Sequence, residues 1–276
     1  MGGLERLIGG LLLAGAASVG CSPWPDKPED LTPQQVQQLD YFYQGCYYKM
    51  KAEHEKENKE ALLHVACANF EKAKQNRWYD SMLHLADCRS MLGENIKALM
   101  MIEEALVTKE TANARNIKGA ICVRAGYAEK EPQLQANYYQ SAFDEFSKAI
   151  KLEDNPQFRW NRYEADMQLV VLKGLRFLDY AFEDAKTFTQ FLPEIPDGYI
   201  SQYMVLNLVA AGKLAEQNGK EALEYAKKAY FALDDAIKRI DAGKMPVRPI
   251  VGGIMTIDDL RATHKELKEK FGSRDY

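Results

Sequence analysis

The sequence predicts an all-α fold, a stack of about five antiparallel helical hairpins followed by a C-terminal helix. One short pattern recurs: alanine, three residues, a larger apolar residue, two residues, alanine. It stands as Ala66-Phe70-Ala73, Ala98-Ile102-Ala105 and Ala142-Phe146-Ala149, with looser copies at Ala181-Ala185-Phe188 and Ala222-Ala226-Ala229. The steps between first alanines are 32, 44, 39 and 41 residues, a period that belongs to repeat arrays. Pro (10) and Gly (18) are few for 276 residues and cluster at segment edges, which favours long helices over many short strands.

The spacing has a direct physical reading. Offsets of four and seven place three side chains on one helical face. Two alanines keep that face thin, so a neighbouring helix approaches closely, and the third residue fills the remaining gap. Such a face cannot be buried by its own helix. Stacked hairpins supply the partners.

The partner helices lie between the copies. Residues 33–54 follow Thr32-Pro33, a helix cap with proline in the first turn. Residues 77–92 carry Met82, Leu85, Ala86 and Leu92 and stop at Gly93. Residues 112–127 carry Ala114, Ile117, Ile121 and Ala125. Residues 157–174 carry Trp160, Tyr163, Met167, Val170 and Val171 and end near Gly174. Residues 197–212 carry Tyr199, Tyr203, Leu206 and Val209 and end at Gly212. Asn155-Pro156 and Pro193 to Pro196 separate hairpins. After "AGKMPVRPIVGGIMT" breaks the pattern, Thr256 caps a last helix that reaches about Phe271. Leu260 and Leu267 form its inner stripe, so it caps the array; alternatively it docks in the groove and a partner displaces it.

Over roughly residues 36–240 this resembles the tetratricopeptide repeat family. Leu85-Ala86 followed after twelve residues by Ala98, Ile102 and Ala105 carries the resemblance best, with Ala142, Phe146, Ala149 and Pro156. The repeats run longer than the family's, and ten extra residues, "AEKEPQLQAN", widen the third hairpin. The resemblance implies a right-handed superhelical solenoid whose concave face, lined by the first helix of each hairpin, binds proteins or peptides. On this chain that face would carry Lys49, Asp80, Asp87, Ser90, Asn161 and Gln168.

The N-terminus has a different character. Leu7 to Ala17, "LIGGLLLAGAA", is eleven apolar or small residues. A membrane span needs about 20, whereas a cleaved export signal has a run of about 7–15. Ser18-Val19-Gly20-Cys21 follows, then the Pro-rich, acidic "SPWPDKPEDLTPQQ". The arrangement resembles a bacterial lipoprotein signal, in which the cysteine after a small-residue box is acylated and becomes the new N-terminus. Ser18 stands where that family usually has Leu. The resemblance implies a signal peptide at 1–20, lipid on Cys21, a tether over 21–35, the repeat domain over 36–242, and a linker with the capping helix over 243–276. An ordinary cleaved signal, giving a periplasmic or secreted protein, and a cytosolic N-terminal helix are the other readings.

Composition and motifs exclude several classes of function. The net charge is −4, leaving no broad basic field for nucleic acid. The histidines His54, His64, His84 and His264 show no ligand spacing of three or four, and "AEHEKEN" has Asn58 where a metalloprotease needs its second histidine. There is no phosphate-binding loop and no GxSxG. Glu194 and Asp197 sit near a turn and are expected to face solvent. Catalytic residues, cofactors and metals are therefore not expected. Besides Cys21 there are Cys46, Cys67, Cys88 and Cys122, which allow disulfides without requiring them. Of fifteen tyrosines, Tyr41, Tyr43, Tyr47 and Tyr48 crowd one helix, either as packing or as a contact surface.

The expectation is a lipid-anchored interaction scaffold of the bacterial cell envelope, on an outer-membrane or periplasmic face. The alternatives are a ligand-binding accessory of a transport system, which a deep apolar pocket would favour, and a hidden hydrolase, which clustered shifted titratable groups would favour.

Overall fold

The structure, a computed structural model, describes residues 33–55, 57–74, 78–244, 246 and 256–272. The expected signal peptide, Cys21 and most of the tether lie outside the described residues, as does most of the linker before Thr256. The described residues form eleven α-helices and no strand. Two compact units divide between Leu152 and Glu153.

The first unit contains α1 (Pro33–His54), α2 (Lys59–Ala73), α3 (Trp78–Met91), α4 (Asn95–Thr108), α5 (Ala112–Ala128) and α6 (Pro132–Leu152). They pair as α1 with α2, α3 with α4, and α5 with α6. Helix α3 also touches both α1 and α5, so the first helices of the three hairpins form one layer. The second unit contains α7 (Pro156–Lys173), a short 3-10 turn (Leu175–Phe177), α8 (Leu178–Phe191), α9 (Asp197–Ala215), α10 (Gly219–Asp241) and α11 (Ile257–Phe271). Here α7 pairs with α8 and α9 with α10, while α11 lies on α10. Five hairpins and a C-terminal helix result, as the sequence predicts.

The repeated pattern reads out burial. Of its fifteen residues all are buried except Ala226, which is half-buried. In two copies the larger member of the pattern, Phe70 or Phe146, enters a notch left by glycine on the partner helix. A Cβ at Gly45 would lie 2.7 Å from the Phe70 ring, and one at Gly119 would lie 2.5 Å from the Phe146 ring. One heptad away on the same pair of helices, a Cβ at Gly126 would lie 2.8 Å from the Tyr139 ring. Antiparallel packing brings Gly119 and Gly126 of α5 against Phe146 and Tyr139 of α6, so these helices interlock over much of their length.

The ten extra residues do not form a wider loop. Six of them, from Pro132 to Asn137, extend α6 to 21 residues, and Tyr139 just beyond them uses the added length against Gly126. Helix α9 also differs from expectation. It continues through Gly212 to Ala215 and ends with Gln217 in the left-handed region at φ 60°. Gly212 is a point of close approach to Leu175, whose Cδ1 would be 2.5 Å from a Cβ, not a stop. Gly93 does stop α3. At φ 84° it donates to Ser90 O, and Glu94 N–H reaches Arg89 O, which closes the exposed carbonyls of the last turn.

Two further expectations are corrected. Val171 is 79% exposed, because its neighbour Val170 takes the inward direction and successive helical residues lie about 100° apart. Asp197 is buried in the first turn of α9, where the free N–H groups of a helix N-terminus favour a carboxylate; Glu194 is exposed. Helix α11 begins as expected: Thr256 Oγ1 accepts from Asp259 N–H while the Asp259 carboxylate accepts from Thr256 N–H. Leu260 is fully buried in the core of the second unit and Leu267 packs against it. The same face is held by His264, whose Nε2 is 2.9 Å from Asp234 Oδ1 and whose ring stacks on Tyr230.

Candidate functional site

In the first unit, the layer made by α1, α3 and α5 is joined by a buried polar network. Lys49 lies on α1, Asp87 and Ser90 one turn apart on α3, and Arg124 on α5. Lys49 Nζ is 2.5 Å from Asp87 Oδ2, and the Arg124 guanidinium donates to Asp87 Oδ1. Arg124 Nε also donates to Ser90 Oγ at 2.9 Å, and Ser90 donates to Asn95 Oδ1 at 2.8 Å. Burial by itself would raise the Asp87 carboxyl. The adjacent Lys49 and Arg124 outweigh it and hold that carboxyl well below the usual range. Burial likewise works against the Lys49 ammonium, and the Asp87 carboxylate overcomes it.

Three of the six residues expected on the binding face, Lys49, Asp87 and Ser90, are thus brought together, but their polar atoms are used within the protein. Arg124, whose side chain is 32% exposed, is the member that reaches the surface. Asp80 lies two turns before Asp87 on the same face of α3 and is half-buried. Asn161 and Gln168 belong to α7 in the second unit. Both are half-buried, and Asn161 Oδ1 accepts from Gln157 Nε2 at 2.7 Å. The crowded tyrosines of α1 are mainly packing: Tyr41, Tyr43 and Tyr48 lie against the first core, and Tyr47 is exposed.

The sequence reading missed two acid clamps. Glu145 on α6 accepts from Arg115 (2.8 Å), Lys118 (3.0 Å) and Lys148 (2.9 Å). In the second unit Asp184 on α8, fully buried, accepts two hydrogen bonds from Arg162 at 2.7 and 2.8 Å and one from Arg159 at 3.2 Å. Arg115 also holds Glu110, and Arg159 also holds Asp154. A signal was present: "ETANARNIK" and "DNPQFRWNR" share an acid, a basic residue five positions on, and another three further. The residue after each acid caps the helix, Thr111 accepting from Ala114 N–H and Asn155 from Gln157 N–H.

One turn from Arg162, Asp166 is fully buried with neither carboxylate oxygen hydrogen-bonded. Burial pushes its carboxyl up, to about 8; the Asp184 carboxylate adds to this and Arg162 opposes it. Its surroundings thus favour the neutral acid over the carboxylate. A cavity of about 350 Å³ between the Gly93–Lys97 turn and the end of α5, with Tyr138 at its edge, is shallow and open. It is not the deep apolar pocket that a small-molecule carrier needs. Among the described residues, no group of three or more His, Cys, Asp or Glu could hold a metal, and no helix is long and apolar enough to cross a membrane.

The fold and this network define an all-α helical-hairpin repeat protein. No family model matches the chain, and no curated protein matches it either. Among solved structures it is similar to one described as MamA MSR-1 C2. That match is 16% identical, covers 75% of this chain and 99% of the other, and has a TM-score of 0.43.

Proposed function

We propose that the protein is a scaffold that holds protein or peptide partners on its hairpin array, exported and tethered by lipid on Cys21 to a membrane of the bacterial cell envelope. The observation that carries the reading is the single layer formed by α1, α3 and α5, pinned through Asp87. A surface already fixed by its own ion pairs loses little conformational freedom when a partner docks, and the rest of the contact energy goes to affinity. In this reading Lys49, Asp87 and Ser90 support the face of the first unit from beneath and Asp80 and Arg124 meet a partner there, while Asn161 and Gln168 offer a face on α7 of the second unit by itself.

The anchor rests on the apolar run that ends at Cys21 and the Pro-rich segment after it. Two acyl chains on one cysteine bind firmly, at about 0.8 kcal/mol per buried methylene, and the tether leaves the hairpins free of the bilayer. Replacing Cys21 by Ser and fractionating cells tests this half: the variant leaves the membrane fraction and loses the lipid mass. Unchanged fractionation and mass would rule the anchor out. A pull-down with residues 22–276 tests the other half, and the scaffold reading requires a partner retained by wild type and lost with substitutions at Asp80 and Arg124.

A further inference from the structure

Arg159, Arg162 and Asp166 stand on one face of α7, at spacings of three and four. Asp184 of α8 faces them. Arg162 gives it two hydrogen bonds, at 2.7 and 2.8 Å, and Arg159 gives it one at 3.2 Å while also holding Asp154 through two. Asp166, one turn after Arg162, is fully buried, and among the described residues neither of its carboxylate oxygens has a hydrogen-bond partner. Side chains four apart on a helix lie about 5–6 Å apart at Cβ, within reach of an arginine. The second unit therefore places two buried carboxyl groups around one guanidinium, and the guanidinium pairs with only one of them.

We infer that Arg162 is a proton-controlled switch: while Asp166 carries its proton the guanidinium clamps Asp184, and when Asp166 ionises it turns to Asp166 and leaves Asp184 to Arg159 alone. A buried charge without a partner costs far more than a buried neutral acid, so an ionised Asp166 draws the nearest cation. Asp184 tolerates the exchange because Arg159 remains on it. The charged groups that act on Asp166 are Asp184 from α8 and Arg162 from its own helix. Tyr163, on the same face of α7, is a phenol that burial pushes up to about 12. Arg176 of the 3-10 turn lies over the Phe177 ring, and Asp197 and Tyr203 of α9 are buried; none of these three acts on Asp166.

The direction follows from the proton. Burial, and then the Asp184 carboxylate, raise the Asp166 carboxyl to about 8, with Arg162 opposing them. The folded chain therefore keeps the proton on the acid side of that value and releases it to solvent as pH rises through it. Release proceeds through local opening of the hairpin, since Asp166 is buried. The clamp between α7 and α8 is thus closed on the acid side and loosened on the alkaline side. Trp160 of α7 packs on Phe188 of α8 with ring centroids 4.8 Å apart, a contact that does not depend on the exchange, so the hairpin loosens without coming apart.

The test follows hydrogen exchange of the full-length protein by mass spectrometry at pH 6 and pH 9, each rate divided by the intrinsic rate at that pH. The expected result is a loss of protection of about tenfold in α7 and α8 at pH 9, with α9, α10 and the first unit changed by less than about twofold. Asp166→Asn, which cannot ionise, keeps its pH 6 protection at pH 9. Arg162→Met is loosened already at pH 6 and changes by less than about twofold on going to pH 9. Equal protection at the two pH values in wild type, a loss spread evenly over the second unit, or a loss that persists in Asp166→Asn overturns the inference. So does an undiminished loss in Arg162→Met, because Arg162 would then not be the group that moves. The Arg162 Nε–H signal in NMR spectra of the wild type keeps the question decidable if a variant fails to fold: it shifts with the same midpoint as the loss of protection, and a signal unchanged between the two pH values overturns the inference.

Discussion

Glu145 and Asp184 occupy the same place in consecutive hairpins. Each stands three residues after the first alanine of the repeated pattern, is buried, and is gripped by two basic residues spaced three apart on the preceding helix. In these two hairpins the likeness therefore extends beyond the alanines to a charged clamp that ties the two helices together; Asn69, Met101 and Tyr225 stand at that place in the other copies.

Loss of a clamp partner leaves a buried charge exposed to its full desolvation cost. Arg162→Met removes two of the three hydrogen bonds to Asp184, so we expect a loss on the order of 3 kcal/mol. Lys148→Met removes a half-exposed third partner from Glu145 and should cost less than about 1 kcal/mol. Urea unfolding midpoints of the two variants measure the difference; equal losses would mean that Asp184 is not held as described.

Asp166 gives the opposite sign. Its carboxyl titrates near 8 in the folded chain and near 4 when unfolded, so the folded state binds the proton more tightly. Its contribution to stability is complete below about pH 4, falls as pH rises, and is lost by about pH 8. Asp166→Asn should therefore stabilise the protein at pH 8, on the order of 1–3 kcal/mol after allowing for the buried amide, with a smaller effect at pH 5. Melting temperatures at both pH values test this. A variant less stable than wild type at pH 8 would contradict it.

The glycine notches are tested by adding one carbon. A Cβ at Gly119 would stand 2.5 Å from the Phe146 ring, and Gly119→Ala should cost about 1–3 kcal/mol through overpacking. Pairing it with Phe146→Leu should recover part of that loss. A double-mutant cycle by chemical denaturation gives the coupling, and strictly additive effects would show that the two residues do not meet.

How much of this was legible in the sequence depends on where the determining contacts lie. The alanine pattern and the Thr256 cap are local, since their partners sit within a few residues or on one helical face, and the structure reproduces them. Gly212 was misread because a glycine that admits Leu175 is identical in sequence to one that ends a helix. Arg124 was missed because its meeting with Asp87 and Lys49 needs three hairpins side by side, and no local spacing encodes that. Asp166 was missed for a similar reason: only the packing of the second unit distinguishes it from half-buried Glu164 two residues earlier. The clamps are legible in principle, in the parallel between "ETANARNIK" and "DNPQFRWNR", a pattern of charges that lies apart from the alanine repeat.

The central claim is that partners dock on the faces of the first helices. Photo-crosslinking amino acids placed in living cells at Asp80, Asn161 and Gln168, and at Val107 on α4, which is 89% exposed, test it most directly. The account predicts discrete adducts from positions on α3 and α7 and none from Val107. Adducts from Val107 alone, or equal labelling at all four positions, would contradict it.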